Sequence, residues 1–198
     1  MSTVWIRTPT APPMPETAAP TFRVDRPLQG LRAGIRTDAA WRSWRLIAAD
    51  WAQRLRRDGV ADVAMVETRG QVGPTGAADR SHIDGLAAVV DFAIVGLGTC
   101  GSCTSFAIAD AVALEARERP VIAVVTDEFA THGENMANHL GHGDLRILVL
   151  PYPLEARPGA ELLEISARAY PSALDLLGVH SPETPATSPV QPFGLGRS

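Results

Sequence analysis

The stretch Asp91 to Thr104, DFAIVGLGTCGSCT, constrains the fold more than any other part of the chain. Phe92-Ala93-Ile94-Val95 is an apolar run, short and β-branched enough to form a buried strand. The run then breaks into Gly96, Gly98, Thr99, Cys100, Gly101, Ser102, Cys103 and Thr104. An Ala-rich segment with helical spacing follows, from Ala107 to Arg117. A buried strand that leaves through a glycine-rich turn into a helix belongs in an alternating α/β architecture.

The rest of the chain repeats the pattern. Leu31 to Arg36 reads as a first strand. The helix after it carries Trp41, Trp44, Ile47, Ala48, Trp51 and Leu55 on one apolar face, so its tryptophans are read as core. Asp38 is placed to cap that helix and Asp58-Gly59 to end it. Ala61 to Val66 is a second strand. Residues 68–77, with Gly70, Gly73, Pro74 and Gly76, are expected as a loop, and Asp79 to Val90 as a helix with His82 near its start. Pro120 halts the helix beyond the cysteines. Val121 to Val125 and Leu145 to Leu150 are the remaining strands, with helices over Ala130 to Leu140 and Ala160 to Leu177. Five strands alternating with helices predict a three-layer, flavodoxin-like α/β domain around a parallel sheet of order 2-1-3-4-5. The domain is expected over 27–180. Residues 1–26 are expected to be a disordered or docking tail containing Trp5, and 181–198 a Pro-rich tail.

Composition excludes several classes of function. A net charge of -4 with no long basic run argues against nucleic acid as the main partner. The chain has no lysine, which rules out Schiff-base catalysis by its own side chains. No stretch approaches the length of a transmembrane helix, and the N-terminus lacks the basic and apolar regions of a signal peptide. A cytoplasmic protein with no membrane partner is expected. In that reducing compartment a C-x-x-C pair means chemistry or metal more often than a structural staple.

Cys100 and Cys103 are the only cysteines, and the expected position at a strand-to-helix turn suits thiol chemistry. A helix N-terminus presents unpaired N–H groups and partial positive charge, which favour a thiolate. Cys100, in the open turn, is expected to be the more acidic thiol and the nucleophile or redox centre. Cys103, turned toward the core, is expected to resolve it. Thr99, Gly101, Ser102 and Thr104 would line a substrate site at the same place. No second C-x-x-C or closely spaced His pair completes a structural zinc set, although metal held by the two cysteines and one histidine stays an alternative.

In open parallel sheets ligands bind at the carboxyl ends of the strands, at the switch in strand order. Here that lies between the first and third strands. Its rim should hold Arg36, Thr37 and Asp38 after strand one, and Asp127 and Glu128 after strand four. The two carboxylates suit either substrate ammonium binding or the first turn of a helix. His132 is a candidate base, while His139 and His142 are expected at a helix end. Gly96-Leu97-Gly98 resembles a dinucleotide fingerprint weakly: the third glycine is misplaced and no acidic ribose partner follows at the usual distance. No cofactor is expected, with a phosphate or flavin at this turn left as a lesser alternative.

Gly98-Thr99-Cys100-Gly101-Ser102-Cys103-Thr104 resembles the motif of the UGSC family of selenoproteins and their cysteine homologues, in which the first position of U-G-S-C is selenocysteine or cysteine. The resemblance extends through Ala107 to Arg117, Thr126-Asp127-Glu128-Phe129 and Pro151-Tyr152-Pro153-Leu154, and departs in the first strand and the tails. A remoter similarity is to selenoprotein B of glycine reductase, where a selenolate attacks carbon and a C–N bond is cleaved reductively. It implies Cys100 as attacking atom and Cys103 as resolving partner. The expected function is therefore a thiol-dependent enzyme acting on a small molecule by reductive cleavage, sulfur transfer or elimination. Such systems often work beside a second subunit, which implies a homo- or hetero-oligomer, with a second protein or a thiol reductant as partner. The competing expectation is a non-catalytic accessory subunit.

Overall fold

The computed structural model describes residues 19–68 and 73–179. Five strands, β1 (Arg32–Thr37), β2 (Asp62–Glu67), β3 (Phe92–Gly98), β4 (Val121–Thr126) and β5 (Ile147–Leu150), form one parallel sheet of order β2-β1-β3-β4-β5. Helices α1 (Arg42–Arg57) and α5 (Gly159–Leu177) pack on one face. Helices α2 (Gly73–Val89), α3 (Gly101–Glu115) and α4 (Ala130–His139) pack on the other. This is the three-layer α/β arrangement and strand order expected from the alternation of segments. Among the described residues no helix is long and apolar enough to cross a membrane.

The two faces of the sheet follow from the alternation of side chains along each strand. Ile35, Phe92, Ile94, Ile122 and Val124 point toward α1 and α5, where they meet Trp44, Ile47, Trp51, Leu55, Leu162 and Ile165. Ala93, Val95, Val121 and Ala123 point the other way, onto Ala107, Ile108, Ala111 and Leu114 of α3. Every residue of β3 and β4 is buried, which is why neither strand shows polar alternation in the sequence. Trp44 and Trp51 sit edge to face with ring centroids 5.6 Å apart. Their indole N–H groups donate to Arg36 O and Ser166 O, each at 3.1 Å, so neither large side chain strands a buried donor.

The structure differs from the sequence expectation in several places, each with a local cause. The third strand does not stop at Val95. It continues through Gly96 and Gly98, because these positions have no room for a side chain. A Cβ on Gly96 would lie 2.5 Å from Trp44 Cζ2, and one on Gly98 would lie 2.8 Å from Val125 Cγ1. The Gly96–Leu97 peptide is cis, and the pairing with β4 shifts register there. Helix α3 begins at Gly101 rather than Ala107, so the cysteines belong to the helix start instead of a free turn. Helix α2 begins at Gly73, inside the segment expected as a loop.

Asp38 does not cap α1. Its Oδ1 accepts the N–H of Ala40 at 2.8 Å in a tight turn. The α1 terminus is closed instead by Glu155, which follows β5: Oε1 accepts from Arg42 N at 3.1 Å and Oε2 from Ser43 N at 3.0 Å. Residues 19–26, expected as part of a tail, lie against the domain where described. Ala19 N donates to Gly141 O at 2.9 Å, Val24 N to Leu177 O at 2.8 Å and Asp25 N to Gly178 O at 3.0 Å. Trp5, residues 69–72 and the expected tail from Ser181 lie outside the described residues.

Candidate active site

The carboxyl ends of β1, β3 and β4 converge where the strand order reverses, and the start of α3 rises from that point. Cys100 is the N-cap of α3. Its backbone is extended, and its Sγ accepts the N–H of Cys103 at 3.1 Å. A sulfur thus takes the cap position usually held by a Ser, Thr, Asp or Asn oxygen. The N–H that it receives is one of those the helix leaves unpaired. The Cys100 carbonyl accepts from Thr104 N at 2.9 Å and from Thr104 Oγ1 at 2.7 Å, which locks the first turn around the cysteine.

Cys100 and Cys103 are joined by a disulfide, with Cα atoms 5.2 Å apart. The two sulfurs have different surroundings. Cys100 is half-buried beside Ser102, whose Oγ lies 3.5 Å from its Sγ. Cys103 is only 9% exposed, and its Sγ receives the indole N–H of Trp41 at 3.3 Å. Gly101 between them is exposed, and a Cβ there would meet nothing within 4 Å.

A model of the UGSC family matches residues 6–179 of this sequence. The chain belongs to the UGSC family. No curated protein matches the sequence. In this UGSC protein the segment Cys100-Gly101-Ser102-Cys103 is the disulfide-bearing first turn of α3 just described.

Around that turn, the expected rim residues separate into near and buried sets. Thr99 is tied to the end of β4, with Thr126 Oγ1 donating to Thr99 Oγ1 at 3.3 Å. His132 of α4 reaches the first turn of α3: Nε2 lies 3.1 Å from Gly101 O and 3.1 Å from Ser105 Oγ. His132, the candidate base of the sequence, is thus placed at the start of α3. Asp127 and Glu128 form an exposed 3-10 turn after β4, with Glu128 N donating to Asp127 Oδ1 at 2.8 Å.

Arg36 is not at the rim. Its side chain has no exposed surface and lies beneath the site between the sheet and α3. Nε is 2.9 Å from Asp110 Oδ2 and 2.6 Å from Thr68 Oγ1, and Nη1 donates to Gly96 O at 2.9 Å. A guanidinium taken out of water requires such partners, and β1 directs it onto the α3 face where Asp110 waits. Nη2 has no hydrogen-bond partner among the described residues. Thr37 and Asp38 are also buried, at 6% and 7% exposure, and their polar atoms serve local backbone: Thr37 Oγ1 donates to Val66 O at 3.4 Å and Asp38 Oδ1 accepts from Ala40 N.

Sequence reasoning missed Trp41, Asp110 and Glu155. Trp41 packs at the edge of the core, as helical spacing indicated, but it also stands at the N-cap of α1 with its indole turned to Cys103, which the spacing did not show. An aromatic residue that opens a helix next to the switch point was the available signal. Asp110 is an acid inside the Ala-rich face of α3, and an acid on such a face requires a buried partner. Glu155 offered no sequence signal, because its partners lie across the fold. Burial raises the Glu155 carboxyl, and the hydrogen bonds from Ser43 and Arg42 outweigh it and hold it below the usual range. His139 ends α4, and His142 lies beyond it with Nδ1 2.9 Å from Glu115 Oε2, far from the cysteines in the chain. Burial pushes the Glu115 carboxyl up, against the pull of His142 and Arg146. Among the described residues no group of three His, Cys, Asp or Glu side chains is arranged to hold a metal ion.

Proposed function

We propose that this UGSC protein is a thiol-dependent enzyme that acts on a small molecule, with Cys100 as the attacking sulfur and Cys103 as the resolving one. The observation that carries the reading is the setting of Cys100 Sγ: it caps α3, receives the Cys103 N–H at 3.1 Å, and stands half-open beside Cys103, to which it bonds. A helix N-terminus and a direct N–H donor both favour a thiolate there.

Reductive cleavage fits the pair best. The Cys100 thiolate attacks carbon and expels a leaving group, forming a thioether. The Cys103 thiolate then attacks Cys100 Sγ, the C–S bond breaks, and the carbon takes its electron pair and a proton. The substrate gains two electrons and the dithiol becomes the disulfide, which an external thiol reductant reopens. Sulfur transfer and elimination use the same nucleophile. A second protein subunit fits as the source of reducing equivalents, and the reducing cytoplasm as the compartment.

The test is activity of Cys100→Ser and Cys103→Ser in protein purified with any native partner, together with the mass of the adduct on Cys100. Loss of turnover in Cys100→Ser, and a trapped adduct in Cys103→Ser, are expected. Full turnover of a native complex carrying Cys100→Ser would replace this reading with that of an accessory subunit.

A further inference from the structure

Cys103 Sγ is almost enclosed, and the indole N–H of Trp41 points at it from 3.3 Å. The indole nitrogen donates only, and a thiolate accepts more strongly than either a thiol or a disulfide sulfur. The position of Trp41 is fixed by the turn before α1 and by the cap on that helix. Asp38 Oδ1 takes Ala40 N at 2.8 Å and Asp38 O takes Trp41 N at 3.4 Å, forming the turn that ends at Trp41. Glu155 then clamps the next two N–H groups of α1.

We propose that Trp41 is a further catalytic residue of the thiol reaction: its indole N–H receives the charge that Cys103 acquires when the disulfide opens. This rests on the reading of Cys100 and Cys103 as a working redox pair. The reductant, a small-molecule or protein thiolate, attacks Cys100 Sγ, the more exposed sulfur. A new S–S bond forms to Cys100, the Cys100–Cys103 bond breaks, and the electron pair goes to Cys103 Sγ. A second thiolate then displaces Cys100 and carries away both oxidising equivalents as a disulfide. A leaving sulfur whose thiolate is stabilised departs faster. In the forward direction the same contact keeps more of Cys103 ionised for attack on Cys100.

The ionisable groups on elements around this turn are Asp38 after β1, Arg42 and Glu155 at the start of α1, Asp127 and Glu128 after β4, and His132 on α4, with Arg36 and Asp110 paired beneath. Among the described residues none of these groups donates an N–H to Cys103 Sγ, and Trp41 does.

The experiment uses the full chain. With dithiothreitol as reductant, Trp41→Phe is expected to slow opening of the disulfide at pH 7 by about three- to tenfold, as for loss of one ordinary hydrogen bond, because the charge on Cys103 is only partly formed in the transition state. In reduced Cys100→Ser, Trp41→Phe is expected to move the iodoacetamide pH profile of Cys103 to higher pH. In reduced Cys103→Ser it is expected to leave the profile of Cys100 in place. Unchanged reduction and an unchanged Cys103 profile would overturn the proposal. Should Trp41→Phe fail to fold, nitrogen-15 spectra of reduced Cys100→Ser decide it: the Trp41 indole resonance titrates together with Cys103, or stays fixed and the proposal falls. Full turnover in Cys100→Ser would overturn the proposed function while leaving the measured Trp41–Cys103 coupling intact.

Discussion

Arg36 Nε and Asp110 Oδ2 lie 2.9 Å apart, with 0% and 4% of their side chains exposed. The pair pins β1 to α3, the helix that carries the cysteines in its first turn. Thr68 Oγ1 joins it by donating to Asp110 Oδ2 at 2.9 Å, so the end of β2 is drawn into the same knot. Removing one member strands a buried charge. Asp110→Ala is expected to lose about 3 to 5 kcal/mol in urea unfolding. The double change Arg36→Met, Asp110→Leu is expected to cost less than Asp110→Ala alone. A double change as costly as the sum of its single changes would mean that the two residues act independently.

Glu155 closes α1 from across the fold, and its carboxyl titrates below the ordinary glutamate value of 4.5. A depressed acid stabilises the fold above its unfolded value and loses that contribution as pH falls through the folded one. Glu155→Gln is expected to be about 1 kcal/mol less stable than the parent at pH 7, by analogy with other lost helix caps. The gap should close as the pH drops through the window beneath 4.5. Paired unfolding curves at pH 7 and in that acid window read it directly.

Gly101 is the first residue of α3, has ordinary negative φ, and faces open space. Nothing in the fold requires a glycine there. Gly101→Ala is expected to stabilise the protein by about 0.4 to 1 kcal/mol, because alanine has less freedom to lose. Turnover is expected to fall at least several-fold if the open space beside Cys100 is where substrate enters. A variant that is more stable and fully active would move the substrate path elsewhere.

Alkylation of the reduced protein at pH 6 to 7 should label Cys100 before Cys103. Cys100 is the more exposed sulfur and sits on the helix cap, whereas Cys103 is 9% exposed beneath Trp41. Mass spectrometry of each single Cys→Ser variant separates the two rates. Faster labelling of Cys103 would reverse the roles of nucleophile and resolving thiol.

The strand order was legible because β3, β4 and β5 are unbroken apolar runs and α1 and α5 repeat an apolar face. The Cys100–Cys103 locus was legible for a related reason: the topology rule and the C-x-x-C spacing point to one place. Element ends were harder to read. Gly96 and Gly98 carry the usual mark of a turn, yet they extend β3, because Trp44 and Val125 fill the space where side chains would be. Arg36 was read as a rim residue from its position at a strand end. Only Asp110, 74 residues away in sequence, turns it into an interior group. Trp41 and Glu155 escaped for the same reason, since their partners are set by tertiary contact.

The contact between Gly96 and Trp44 makes the two positions a single unit of inheritance. A methyl group at 96 would stand 2.5 Å from the indole edge, so the strand can gain a side chain only if the helix gives up its ring. Relatives that carry alanine or serine at position 96 should therefore carry a smaller residue at 44, and the exchange should appear as a correlated pair. The order of such changes is constrained as well. Shrinking position 44 first leaves a cavity that the fold can survive at a cost, whereas enlarging position 96 first meets a clash. Lineages in which the wall behind the cysteines has been remodelled should have passed through the small-residue state at 44.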